Sequence, residues 1–156
     1  MTNKAFKSYR DLRVWGEAMN LAQMCYQITQ AFPPAEIYGM TSQIRRAAAS
    51  VPANIAEGYG RENRGEYIQF LKIAQGSLKE LETHLLLSER VKSIDNQTIE
   101  PLLRQCDVVG KMLRSLIRSL QKKTKEEILK MDFVSTLSDS RLPTPDSPPH
   151  SARSVR

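Results

Sequence analysis

Four stretches of this chain place apolar residues at alternating intervals of three and four, with helix-breaking or capping residues between them. On a helix of about 3.6 residues per turn, that interval gathers the apolar side chains into one stripe; a strand would scatter them over both faces. The expected fold class is therefore all-α. The first stretch runs from about Tyr9 to Ala31 with Ser8 as its N-cap, and Leu12, Trp15, Met19, Ala22 and Tyr26 read as its core stripe. Val14, Leu21, Cys25 and Ile28 form a second stripe, about 120° around the same helix. One buried face is enough for a helix in a monomeric bundle, so the second stripe is expected to be an oligomer contact. Pro33-Pro34 ends the helix, because neither residue has an N–H to donate.

The second helix is expected from about Ala35 to Tyr59, with Ile37, Met40, Ile44, Ala47, Val51 and Ile55 facing inward. Pro52 lies inside it and predicts a kink, since its ring crowds the carbonyl of Ala48. Gly58 and Gly60 close this helix, and Asn63 caps a third from about Arg64 to Val91. Tyr67, Leu71, Ala74, Leu78, Leu81 and Leu85 form the third core stripe. Asp95 or Thr98 caps a fourth helix, whose inner face is Ile99, Leu102, Cys106, Val109, Leu113, Leu116, Ile117 and Leu120. Short loops between four long helices predict an antiparallel up-down-up-down four-helix bundle. Residues 1–8 read as an N-terminal extension, 9–130 as the bundle, and 131–156 as a disordered tail. The Ser, Thr and Pro content of that tail leaves too little apolar surface to offset the entropy of ordering.

The excess positive charge is concentrated in one place. The chain carries a formal net charge of +6. Between residues 104 and 125 stand Arg104, Lys111, Arg114, Arg118, Lys122, Lys123 and Lys125 against the single acid Asp107. Arg104, Lys111, Arg114, Arg118 and Lys122 fall within an arc of about 80°, roughly opposite the apolar face of the fourth helix. Such a ridge suits RNA or DNA phosphates; without interleaved aromatic residues it is not built to read bases. A solvated, solubilising face is the alternative. No stretch of eighteen uninterrupted apolar residues is present, the N-terminus has no apolar signal core, and the two cysteines read as buried free thiols. A cytoplasmic protein without membrane association is expected.

A polar line also runs along the second helix. Gln43, Arg46, Ser50, Asn54 and Glu57 share one face, and antiparallel packing of the third helix would set Arg46 opposite Glu80 and Ser50 opposite Gly76. This seam reads either as a binding or subunit contact, or as a network fixing helix register. Metal chemistry lacks its ligands. Di-iron bundles use Glu-x-x-His on two helices, whereas Leu81 stands three residues before His84, and His150 lies in the tail. Gly76-Ser77-Leu78 is not a nucleophile elbow, neither cysteine has an activating histidine in a readable motif, and no glycine-rich phosphate loop is present. No cofactor, no metal and no enzymatic activity are expected.

The run Arg45-Arg46-Ala47-Ala48-Ala49-Ser50-Val51-Pro52-Ala53-Asn54-Ile55-Ala56-Glu57-Gly58 resembles the signature of a bacterial four-helix-bundle family, the proteins encoded within intervening sequences of 23S ribosomal RNA genes. The similarity extends to Leu12-x-x-Trp15-x-x-Ala18, Phe32-Pro33, Glu36-x-Tyr38-Gly39-Met40 and Gln43-Ile44. It continues through Phe70-Leu71-x-Ile73-Ala74-x-Gly76-Ser77-Leu78-x-Glu80-Leu81-Glu82-Thr83, and covers about residues 6–122. The resemblance implies a ring, a homopentamer, and kinship with accessory proteins of diversity-generating retroelements. Those relatives imply nucleic acid and a reverse transcriptase as candidate partners. It brings no catalytic residues, and nothing after Lys125 has a counterpart. Two readings follow: a non-catalytic oligomer that binds nucleic acid through the basic ridge, or an interaction scaffold without nucleic-acid contact.

Overall fold

The computed structural model describes residues 7–139, so residues 1–6 of the expected extension and 140–156 of the expected tail lie outside the described residues. Four helices are present and no strand among the described residues: α1 (Arg13–Thr29), α2 (Met40–Tyr59), α3 (Arg64–Arg90) and α4 (Asn96–Asp139). The chain divides into two units, one ending at Thr124 and the other beginning at Lys125. All four helices contribute to a single core, with Leu21, Ile44, Val51, Ile55, Leu71, Leu78, Leu81, Leu85, Ile99, Leu102, Val109 and Leu113 fully buried. α1 packs on α2 and α2 on α3. Gln105 of α4 reaches α1, donating to the backbone oxygen of Glu17 at 3.0 Å and to its carboxylate at 2.7 Å.

Ser8 does build a capping box, but on a single 3₁₀ turn, Tyr9–Asp11. Ser8 Oγ accepts from the Arg10 amide at 3.2 Å, and Asp11 Oδ2 accepts from the Ser8 amide at 3.1 Å. Leu12 is extended, with φ −73° and ψ 121°, so α1 begins only at Arg13. A second 3₁₀ turn, Pro34–Glu36, takes up the start expected for α2. That leaves Ile37 53% exposed, outside the core stripe expected for it. Asn63 caps α3 as its sequence suggests, accepting from the amides of Gly65 and Glu66. Asp95 caps α4 through the Thr98 amide at 2.7 Å.

The core of α1 takes in the stripe expected as an oligomer face as well as part of the expected core stripe: Ala22 is buried, and Leu12 and Trp15 pack against the core. Val14, Leu21 and Cys25, expected on an oligomer face, are buried together with Ala18, and Ile28 packs against the same core. Met19 and Tyr26, expected in the core, are 44% and 45% exposed. The physical reason lies in the polar atoms. The Tyr26 hydroxyl and the Trp15 indole N–H favour an edge where one end stays wet, while Val14, Leu21 and Cys25 bury nothing that needs a hydrogen bond. Ala18 completes the buried stripe and lets the neighbouring helices approach.

Helix also extends beyond the expected boundary at Lys130, so residues 131–139 are helical rather than disordered. The second unit, in its described part, is this helical segment. Its apolar side chains Ile128, Leu129, Met131, Phe133, Val134 and Leu137 are all more than half exposed.

Candidate nucleic-acid interface

The basic residues of α4 occupy the positions that its buried stripe leaves to solvent. With Ile99, Leu102, Cys106, Val109, Leu113 and Ile117 committed to the core, Arg104, Lys111, Arg114, Arg118 and Lys122 are all exposed. They are not equally available to a ligand. Arg104 is ion-paired with Glu100 at 3.0 Å, and Lys111 with Asp107 at 2.7 Å, each one helical turn away. Arg118 makes no ion pair among the described residues, while Lys122 has an interaction of its own. Exposed pairs of this type are worth little, so a phosphate can displace them at small cost.

A cation that sequence reasoning missed joins the ridge from α3. The hydrogen bond from Lys111 holds the Asp107 carboxyl below the usual carboxylate range, and the charges of Lys111, Arg114 and Lys79 act in the same direction. Asp107 is thus bordered by three cations drawn from two helices. Lys79 also pairs with Glu82 at 2.7 Å, and the acids Glu80 and Glu82 that follow it in sequence hid its contribution. Beside this cluster, a cleft of about 300 Å³ opens between α3 and α4, lined by Gln75, Gly76, Leu78, Lys79, Gly110 and Arg114. Two glycines without Cβ atoms keep it open, and Arg114 Nη1 would stand 3.4 Å from a Cβ at residue 110.

The polar seam is a separate feature, at the α2–α3 contact. Arg46 Nη2 lies 3.6 Å from Glu80 Oε1, and Ser50 Oγ meets Ser77 Oγ at 2.8 Å, one position from the expected Gly76. Asn54 donates to the Ser50 carbonyl and hydroxyl, Gln43 accepts from Arg46, and Glu57 pairs with Arg61. His84 Nε2 is 3.5 Å from Glu80 Oε1. Residue numbers rise on α2 as they fall on α3 through these pairs, so the two helices run antiparallel. The neighbouring Arg45 serves the other side of α2: its Nε donates to Thr29 Oγ1 at 2.8 Å while its guanidinium lies over the Tyr26 ring.

Neither cysteine is poised for chemistry. Burial pushes the Cys25 and Cys106 thiols up to about 12, so both are protonated at neutral pH. Among the described residues no three His, Cys, Asp or Glu side chains converge on a metal position. No described helix is long and apolar enough to cross a membrane.

Residues 10–115 match the family described as 23S rRNA-intervening sequence protein. The chain belongs to that family. A solved relative shares the fold at a TM-score of 0.61 and 26% identity, over 67% of this chain and 97% of its own. It is a protein of unknown function from the S23 ribosomal protein family of Bacteroides thetaiotaomicron. No curated protein matches. For this member of the 23S rRNA-intervening sequence proteins, the matched region takes in the seam, Lys79 and the ridge as far as Arg114. Arg118, Lys122 and the C-terminal part of α4 lie beyond it.

Proposed function

We propose that this protein is a non-catalytic, cytoplasmic, oligomeric bundle that binds the phosphate backbone of RNA or DNA through the α4 ridge together with Lys79. The observation that carries the reading is the meeting of Lys79, Lys111 and Arg114 around exposed Asp107, beside an open cleft between α3 and α4. Cations from two helices present charge over an area rather than along one line, and Arg118 extends it by a further turn. Family resemblance supports an up-down-up-down arrangement and a homopentameric ring, in which repeated ridges would add weak contacts into useful avidity. Mixed-sequence RNA in a mobility-shift titration tests the idea. Affinity should fall with salt on a log–log slope of about 0.7 to 0.9 per phosphate neutralised, with little sequence preference. Binding that is absent near physiological salt would overturn it.

A second reading has its own support. Arg104 and Lys111 are already ion-paired, and a large apolar groove lies on the α1–α2 side. An interaction scaffold, or an accessory subunit of a reverse transcriptase, would use that groove and need no nucleic-acid contact.

A further inference from the structure

Two glycines of the α3–α4 cleft stand inside long helices, where the backbone does not call for them. Gly76 lies mid-way along α3 and Gly110 within α4, and neither has a positive φ. Glycine weakens a helix interior relative to alanine, so each position needs another reason. Gly58 has one, since a Cβ there would fall 2.7 Å from the Phe70 Cβ. At Gly110 a Cβ would sit 3.4 Å from both Leu78 Cδ2 and Arg114 Nη1. Gly76 has no such reason within the chain: nothing lies within 4 Å of a Cβ built there. What its missing side chain leaves open is the cleft of about 300 Å³.

The lining says what the cleft can take. Buried Leu78 and the two glycines make an apolar floor, while Lys79 on α3 and Arg114 on α4 are exposed and supply a cation to each wall. Half-buried Gln75 also lines it, and its side-chain amide makes no hydrogen bond among the described residues. No acid is among the lining residues. Lys79 pairs with Glu82, yet its side chain stays 67% exposed, and such a pair is displaced at small cost. A bare phosphate would give up water for an apolar floor. A helix of a second copy is a poor fit too, because lysine is depleted from the cores of subunit contacts. A flat apolar ring with a polar edge and a negative charge on either side suits all of these groups, and a nucleotide within a strand has that form. In a duplex the bases are stacked and paired, so only an unpaired base reaches a recess between two helices. We propose that the α3–α4 cleft seats one unpaired base of a single RNA or DNA strand, with Lys79 and Arg114 holding the flanking phosphates and Gln75 meeting the base edge. The inference deepens the phosphate-binding reading and rests on it. An amide both donates and accepts, so Gln75 can meet any base, and the cleft selects strand form rather than sequence.

Fluorescence anisotropy with the full-length chain at one fixed salt concentration tests it. The probes are a short mixed-sequence RNA strand, the same strand paired with its complement, and a strand of equal length made of abasic sites. Wild type should bind the intact single strand several-fold more tightly than the other two, although the duplex carries the denser charge. Gly76→Leu fills the cleft from its open side, adds no charge and suits a helix better than glycine. It should lose that preference and bind the duplex as wild type does. Gln75→Ala should lose part of the preference and none of the duplex affinity. Equal binding of the intact and abasic strands by wild type overturns the proposal and leaves the ridge standing, as does a Gly76→Leu chain with its preference intact. An oligomer that dissociates on Gly76→Leu, seen by light scattering, overturns it as well, because the cleft is then a subunit contact. Failure to bind any of the three probes near physiological salt overturns the phosphate-binding reading along with it.

Discussion

Gly58 on α2 stands so close to Phe70 on α3 that a Cβ at residue 58 would fall 2.7 Å from the Phe70 Cβ. Tyr67 adds a ring carbon at 3.0 Å and a backbone oxygen at 3.2 Å. Neither a Cβ nor a backbone oxygen can swing aside, so α2 and α3 would have to separate. Gly58→Ala should therefore destabilise the protein by about 1–3 kcal/mol, as overpacking does. Gly76 offers the opposite case, since nothing lies within 4 Å of a Cβ there. Gly76→Ala should stabilise by up to about 1 kcal/mol through helix propensity alone. Urea midpoints of the two variants should move in opposite directions.

The buried and exposed positions of α1 make a second contrast. Leu21 is fully buried, so Leu21→Ala should cost about 2–5 kcal/mol. Leu21→Glu should unfold the chain rather than dissociate a folded oligomer. Met19 is 44% exposed, and Met19→Ala should change stability by no more than about 0.5 kcal/mol. Far-ultraviolet circular dichroism during thermal melting distinguishes the two sites.

Such contrasts show where the sequence was legible and where it was not. The inner face of α4 and the stripe of α3 could be read directly, because each helix offers one apolar arc against a charged remainder. The cap at Asn63 was equally plain, since a short polar side chain before a periodic run has few other uses. For α4 the sequence left Asp95 and Thr98 as alternatives, and the Asp95 carboxylate accepting from the Thr98 amide decides between them. α1 was ambiguous because it carries two apolar arcs, and periodicity counts both equally. The deciding information was the cost of burying the Tyr26 hydroxyl and the Trp15 indole N–H. Lys79 could not be found from composition, because its charge is cancelled along the chain by Glu80 and Glu82 and appears only when α3 lies beside α4. The end of α4 was missed for the converse reason: Ile128, Leu129, Met131, Phe133, Val134 and Leu137 are interrupted by polar or charged neighbours and the run leads into Ser, Thr and Pro, so their pattern looked like decay.

The two thiols should be inert in the folded state. Their ionisation is pushed up to about 12 by burial, so almost no thiolate exists at pH 8. A chromogenic disulfide reagent should leave both unmodified in native protein and titrate two after denaturation in guanidinium. A folded acid with a raised value holds its proton where the unfolded one releases it. The contribution to stability is therefore complete below the ordinary thiol value of 9.0 and declines as pH rises towards 12. Reaction of native protein at pH 8 as fast as denatured protein would show that one of these helix contacts opens readily.

The arrangement around Asp107 predicts a gain of function from a loss of charge. Asp107 is the one acid of the ridge between residues 104 and 125, and it neutralises part of the field of Lys79, Lys111 and Arg114. Asp107→Asn keeps the shape, releases the Lys111 ammonium from its 2.7 Å pair, and raises the local charge by one. The lost pair is exposed, so the stability cost should be below about 1 kcal/mol. If the ridge binds phosphates, Asp107→Asn should bind mixed-sequence RNA more tightly than wild type, with a steeper salt dependence as Lys111 engages a further phosphate. The combination Lys111→Glu, Arg114→Glu and Arg118→Glu should nearly abolish binding while leaving the melt little changed, because all three side chains are exposed. Lys79→Glu should weaken binding as much as any single α4 reversal, although it lies on another helix. Exchanging Arg114 or Arg118 for Lys should matter little, since point charge rather than bidentate geometry is used. Filter-binding titrations at several salt concentrations measure all of these. Asp107→Asn binding no tighter than wild type, together with an unaffected triple variant, would mean that α4 is a solvated face and leave the scaffold as the better account.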